Sequence, residues 1–207
     1  MRDLTPVLAA MVISWYFGSM AHFTFIKSVE KLSSFPRDTV QEIALVGRSN
    51  AGKSSFVNTL SRERLAKVSQ KPGKTRLLNL FYNKKDNYRL VDMPGYGWSS
   101  RSAEEMETWT QMVEDFLHFR PNLCGLLLIM DIRRDWASEE QMLLDLVLSR
   151  EMHFGVILSK SDKLSKSAVK IKIDDIKQVV KEFPVVAVSN LKKTGAEDIE
   201  KLMWSWV

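Results

Sequence analysis

Eight consecutive residues, Gly47-Arg48-Ser49-Asn50-Ala51-Gly52-Lys53-Ser54, constrain this chain more than any other stretch. They follow the apolar run Ile43-Ala44-Leu45-Val46 and precede a helix-like segment from Lys53 to about Arg64. Strand, glycine loop and helix in that order make a phosphate-binding P-loop. Gly47 and Gly52 let the backbone curl closely round phosphate oxygens. Successive N–H groups and the helix N-terminus then face the anion. Lys53 is expected to reach the β- and γ-phosphates, and the Ser54 hydroxyl to hold Mg²⁺.

The rest of the chain reads as an α/β domain hung on that loop. Glu42 to Val46 is a buried strand, and Phe56, Val57 and Leu60 give the next helix its apolar face. The basic, turn-rich stretch from Ala66 to Arg76 follows; on composition it is a solvated loop, but its position makes it a candidate switch loop, with Thr75 placed to complete an Mg²⁺ shell. Leu77–Tyr82 and Tyr88–Met93 are joined by five residues, so they predict an antiparallel hairpin. The second strand ends in Asp92-Met93-Pro94-Gly95, with Asp92 38 residues after Ser54. There a carboxylate can hold Mg²⁺ through water, and the Gly95 N–H can meet a γ-phosphate. Capping boxes are predicted at Ser102–Glu105, Ser138–Gln141 and Thr194–Glu197. The first opens a helix with Met106, Trp109, Met112, Val113, Phe116 and Leu117 inward, and Trp98 precedes it as an exposed or half-exposed side chain. Leu126–Met130, Phe154–Leu158 and Val185–Val188 are further buried strands.

Ser159-Lys160-Ser161-Asp162 follows the strand expected to be fifth in such a domain. The Asp162 carboxylate can accept from guanine N1–H and the 2-amino group, neither of which adenine offers. The Lys160 stem can lie over the base plane. The loop Ser189-Asn190-Leu191 is placed to touch the base edge through backbone N–H groups. Lys163, Lys166, Lys170 and Lys172, on or near the outer side of the following helix, read as a solvated face.

The net charge of +5 permits an anionic partner such as RNA without requiring one. The single cysteine, Cys124, excludes a disulfide framework, fits a reducing compartment and reads as a small buried hydrophobe. Leu4 to Ile26 carries no Lys, Arg, Asp or Glu, which is long enough to span a bilayer. Pro6, Ser14, Gly18, Ser19, His22 and Thr24 make it a mediocre span, and Arg2 beside Asp3 makes a poor signal peptide. Residues 1–19 therefore read as a tether, as an extension packed on the domain, or as lying before a true start at Met20, the reading preferred here. His22–Lys27 is expected to be a first strand, Ser28–Thr39 a loop, and residues 20–207 one domain.

Taken together, GRSNAGKSS at 47–55, KPGKTR at 71–76, DMPGYG at 92–97, SKSDKL at 159–164 and SNLKKTG at 189–195 resemble the EngB GTPases, of the TrmE-Era-EngA-EngB branch of the Ras-like GTPases. The likeness runs from about Met20 to the C-terminus. It implies a Ras-like α/β fold: a mixed, mostly parallel six-stranded sheet plus an N-terminal strand, with helices on both faces. It implies GTP or GDP as ligand and Mg²⁺ held by Ser54 and Thr75. Nucleotide contacts are implied at Gly47, Arg48, Ser49, Asn50, Ala51, Gly52, Lys53 and Ser54; at Gly73, Lys74, Thr75, Arg76 and Leu77; and at Asp92, Met93, Pro94 and Gly95. They are also implied at Ser159, Lys160, Ser161 and Asp162, and at Val188, Ser189 and Asn190. The family's association with large ribosomal subunit assembly and with cell division and septation implies a cytoplasmic protein with the ribosome as partner, and a monomer is expected.

The chain departs from its relatives in having Ser159 where the family usually has Thr, and many other GTPases Asn. A serine hydroxyl can still bond the P-loop, and guanine selectivity stays with Asp162. Tyr96 stands where Ras carries its water-orienting glutamine, so slow intrinsic hydrolysis is expected. Lys53, Thr75 and Asn50 are the candidate catalytic residues. Asn50 resembles the asparagine that helps hold K⁺ in potassium-activated GTPases; the alternative is that it only braces the loop. A membrane-tethered or division-protein-binding module without significant turnover is the competing reading.

Overall fold

The computed structural model describes residues 23–61, 65, 77–97 and 103–207. Seven strands form one sheet: β1 (Phe23–Val29), β2 (Gln41–Val46), β3 (Leu78–Asn83), β4 (Tyr88–Asp92), β5 (Leu123–Asp131), β6 (His153–Ser159) and β7 (Val185–Ala187). Their order is β1-β3-β4-β2-β5-β6-β7. The β1–β3 and β3–β4 pairs are antiparallel, and every pairing from β4 to β7 is parallel. Among the described residues five helices cover it: α1 (Lys53–Ser61), α2 (Ala103–Phe119), α3 (Ser138–Ser149), α4 (Lys166–Val180) and α5 (Ala196–Trp204). This is the expected Ras-like α/β architecture, N-terminal strand included.

Side-chain alternation along the strands builds two cores. Ala44 and Val46 of β2, with Leu126, Leu128 and Met130 of β5, face Phe116, Leu117, Leu144, Val147 and Ile176 on one side. Ile43, Leu45, Leu127 and Ile129 face Phe56, Val57, Leu60, Ile199 and Met203 on the other. The apolar face read for α1 is thus buried, and each of its three large side chains contributes roughly 2 kcal/mol by leaving water. Trp206, past the end of α5, lies flat on His153 with ring centroids 5.5 Å apart and an interplanar angle of 7°. It fits there because β5 carries Gly125, where a Cβ would stand 2.7 Å from the indole.

Several local expectations are corrected. The first strand continues to Val29, past a register shift between Phe25 and Lys27, so Ser28 and Val29 are strand rather than loop. Phe23–Ile26 lie in β1, so the uncharged stretch from Leu4 to Ile26 does not form one helix along its whole length. No helix among the described residues is long and apolar enough to cross a membrane. The loop after β1 contains a 3₁₀ turn, Leu32–Ser34, and sends Phe35 into the core to stack on Phe116 at 5.3 Å. The last strand ends at Ala187, not Val188.

The box predicted at Ser138 is shifted by one residue: Ala137 is the N-cap, and its N–H donates to the Glu140 carboxylate at 3.1 Å. Thr194 is not a cap, because a two-way backbone bridge to Ser189 engages it; Gly195, at φ 81°, opens α5 instead. Cys124 is half-buried, and its thiol, pushed up to about 11 chiefly by burial, faces the Glu42 carbonyl at 3.3 Å. Of the lysines read as solvated, Lys163, Lys166 and Lys170 are exposed, whereas Lys172 is half-buried and pairs with Asp135 at 2.6 Å. The Ser102 cap, His22, Trp98 and residues 1–19 lie outside the described residues, as do the side chains of Met106 and Trp109.

Candidate nucleotide site

The carboxyl ends of β2, β4, β5 and β6 lie along one edge of the sheet, because these strands are parallel neighbours. That edge is where open α/β sheets bind ligands. It gathers Gly47 after β2, Asp92 at the end of β4, Asp131 at the end of β5 and Ser159 at the end of β6.

The P-loop wraps back on itself before α1 begins. Asn50 takes a left-handed conformation at φ 61°, and the Ala51 N–H donates to the Arg48 carbonyl at 3.1 Å. Lys53 is only 8% exposed, and its Nζ donates to the carbonyls of Gly47 at 2.7 Å and Arg48 at 3.2 Å. Burial pulls its pKa down, and the Asp92 charge opposes that. Ser54 is half-buried in the first turn of α1.

Asp92 is 3% exposed, and its Oδ1 is buried with no hydrogen-bond partner. Burial pushes its carboxyl up to about 6, against the pull of Lys53 and a hydrogen bond from Asn79. A buried acceptor without a donor is costly. Met93 and Pro94 are buried, and Gly95 passes against the P-loop: a Cβ there would stand 2.8 Å from the Ser49 backbone and 3.0 Å from Lys53 Nζ. Only glycine allows that approach.

At the other end of the site, Ser159 is buried with its hydroxyl 2.6 Å from the Ala51 carbonyl and 2.9 Å from the Met130 carbonyl. The serine thus ties β6 to the P-loop despite lacking an amide. Lys160, at φ 58°, sends its Nζ to the Asn50 carbonyl at 2.8 Å and to Asp131 Oδ2 at 3.0 Å. Asp162 Oδ1 accepts from the Ser189 hydroxyl at 2.7 Å, which holds the carboxyl below its ordinary range. The Ser161 N–H donates to the Val188 carbonyl at 3.1 Å, so these two loops are bonded to each other. The Ser189 N–H is committed to Thr194, so it does not serve as the free base-edge donor expected of that loop. Asn190 lies beside Thr59, its Oδ1 3.2 Å from Thr59 Oγ1. Leu77, half-buried, immediately precedes β3; Gly73, Lys74, Thr75 and Arg76 lie outside the described residues.

Residues not singled out from the sequence complete the arrangement. Asp131 carries Arg133 at 2.6 Å as well as Lys160, and these cations, Arg133 foremost, hold its carboxyl well below the usual range. Its signal was a carboxylate closing a nine-residue strand of otherwise uncharged residues. Glu139 and Glu140 of α3 reach the P-loop side through Arg48 and Tyr96. A cavity of about 200 Å³ lies there, lined in part by Asn50, Asp131, Glu140 and Lys160.

Comparison with known proteins agrees with this geometry. Residues 42–160 match a family described as 50S ribosome-binding GTPase. The chain is 44% identical over 184 residues to a probable GTP-binding protein EngB of Bdellovibrio bacteriovorus, covering 88% of this chain and 92% of the relative. It is 38% identical to a probable EngB of Acinetobacter baylyi, covering 85% and 76%. Among solved structures, a probable GTP-binding protein EngB superposes with a TM-score of 0.62 at 20% identity, over 79% of this chain and 97% of that one. Era of Aquifex aeolicus with GDP and AlF4⁻ gives 0.70 at 22% identity, over 82% and 57%. The NFeoB domain of S. thermophilus with GDP, AlF4⁻ and K⁺ gives 0.60 at 27% identity, over 81% and 63%.

Proposed function

The chain belongs to the EngB family of GTP-binding proteins, and from that premise we propose that it is a slow, Mg²⁺-dependent GTPase that acts as a switch in large ribosomal subunit assembly. The observation that carries the nucleotide reading is the buried, unpartnered Asp92 Oδ1 beside the Lys53 ammonium. A water bound to Mg²⁺ is the donor this acceptor lacks, and Lys53 supplies positive charge for phosphate. Ser54 and Asp92 fit such an ion: Mg²⁺ takes few protein oxygens and keeps several waters. Bound there, it would neutralise charge on the phosphates. The guanine base would meet Asp162, whose orientation is held by Ser189. Thr75 is proposed to complete the metal shell with Ser54. Tyr96 donates its hydroxyl to Glu140 and offers no amide to orient water, which supports slow hydrolysis.

The ribosomal reading rests on the description of the matching family and on the basic charge of the chain. A role in division and septation would then follow through ribosome supply. K⁺ held through Asn50 is supported by the K⁺-bound NFeoB neighbour, and predicts faster turnover in K⁺ than in Na⁺ that Asn50→Ala removes.

Two measurements test the whole. Calorimetric titration with GDP and GTP, with Mg²⁺ or with EDTA, is expected to show tight binding that excludes ATP and weakens without metal; equal affinity for ATP would overturn the guanine assignment. Co-sedimentation with large ribosomal subunits is expected with a non-hydrolysable GTP analogue and not with GDP. Absence of binding in both states would remove the ribosomal partner while leaving the GTPase.

A further inference from the structure

We propose that Glu140, in the first turn of α3, is a positioning residue for recognition of a terminal phosphate, acting through Tyr96 on Gly95. This rests on the GTP-binding reading above and adds to it a residue that touches neither nucleotide nor metal.

Four contacts hold the chain at Tyr96 and Gly97, three of them on the P-loop. The Ser49 N–H donates to the Tyr96 carbonyl at 2.9 Å, within a parallel bridge between Arg48 and Tyr96. The Tyr96 hydroxyl donates to Glu140 Oε1 at 2.7 Å. The Arg48 guanidinium lies 5.8 Å from the centre of the Tyr96 ring and pairs with Glu139 at 3.3 Å. Gly97 closes round the same guanidinium, where a Cβ would meet Arg48 Nε at 2.9 Å. Gly95, one residue before Tyr96, is thereby pressed against Ser49 and Lys53. A γ-phosphate drawn to Lys53 arrives beside Gly95, and a diphosphate does not reach it.

Glu140 is built to hold this end. It is 2% exposed, and its second oxygen accepts from the Ala137 N–H, so both oxygens are committed and its rotamer is fixed by the start of α3. Burial and the neighbouring carboxylate raise the Tyr96 phenol, so it stays a donor across the physiological range. Of the four contacts, the Tyr96–Glu140 bond is the one that ties the segment after Asp92 to a helix outside the P-loop.

The test compares GDP with the non-hydrolysable analogue GMPPNP, in Mg²⁺, on the full chain. Tyr96→Phe keeps the ring on Arg48 and leaves Glu140 bonded to Ala137. It should weaken GMPPNP about fivefold, the worth of one hydrogen bond, and change GDP less than about twofold. Glu140→Ala should do the same, the double variant should be no worse than either single one, and Glu140→Gln, which keeps an acceptor, should stay near the parent. Equal weakening of both nucleotides, no change in either, tighter GMPPNP binding, or additive losses would each overturn the inference. If Glu140→Ala does not fold, Tyr96→Phe decides alone. A parent protein that binds neither nucleotide would overturn the GTP-binding reading itself, and this inference with it.

Discussion

Two clusters of buried charge lie at opposite edges of the same sheet and are completed differently. At the amino ends of β2 and β4, Glu42 is fully buried and both its oxygens are used. Arg89 Nε donates to it at 2.9 Å, and Arg120 donates to both oxygens at 2.8 Å. Arg89 is further forked by Asp38, with Nη1 to Oδ2 at 2.9 Å, and Arg120 also reaches the Pro36 carbonyl at 3.2 Å. At the carboxyl ends, among the described residues, Lys53 donates to carbonyls and Asp92 keeps an oxygen with no donor. The first cluster is satisfied by the protein alone. The second is left incomplete by the described residues, as the proposed metal and nucleotide would require. Burial of charge by itself does not mark a site; an unpartnered carboxylate oxygen that shares a strand-end edge with a glycine loop and a buried lysine points to one.

The strongest way to break this contrast is to remove Glu42. Glu42→Ala strands two guanidinium groups and should cost about 3–5 kcal/mol in urea unfolding, with GDP affinity of the folded protein unchanged. A loss under about 1 kcal/mol would show that water completes that cluster too. Next in size, Lys53→Ala should lower nucleotide affinity by roughly a hundredfold, about 3 kcal/mol, in a calorimetric titration. It should change the nucleotide-free melting temperature little, because loss of the bonds to the Gly47 and Arg48 carbonyls is offset by removal of a desolvated ammonium.

The third test uses pH, where the clusters have opposite signs. The folded Asp92 carboxyl, raised to about 6 from 3.8, binds its proton more tightly than in the unfolded chain. Its contribution is full below about pH 4 and is lost as pH rises through about 6, a cost of roughly 2–3 kcal/mol at neutral pH. Asp92→Asn should therefore stabilise the nucleotide-free protein at pH 7.5 and lose that advantage toward pH 4.5. Asp38, lowered by Arg89, contributes stability above the ordinary carboxylate range that is lost as acid protonates it. The smallest effect is expected for Lys172→Ala. Its partner Asp135 is 94% exposed, so solvent screens the pair and the change should leave the same denaturation curve almost unmoved.

The same contrast explains what could be read from the sequence. The nucleotide site was legible because its chemistry is local: a loop of eight residues must supply donors, glycines and a lysine in fixed order. The strands were legible because their apolar runs are long and their alternation strict. The Glu42 cluster was not, since its partners stand 47 and 78 residues away and share no spacing rule. Its only trace was a carboxylate opening an apolar strand. The bond between Tyr96 and Glu140, 44 residues apart, was hidden for the same reason. Thr194 misled because its side-chain type suits a cap, while its backbone was already spent on Ser189. Local chemistry is written in local sequence, whereas pairings between distant loops are decided by the packing of the sheet.

Trp206 sets the order in which this domain is finished. The indole fills the space that Gly125 leaves on β5 and lies against His153 at the start of β6, although it follows both strands in the sequence. During synthesis the strands emerge first, and the face they share with α1 and α5 stays open until Ile199, Met203 and Trp206 follow. The second core therefore closes only once α5 and Trp206 have joined it, and a nascent chain stalled before α5 would hold its strands with one wet face.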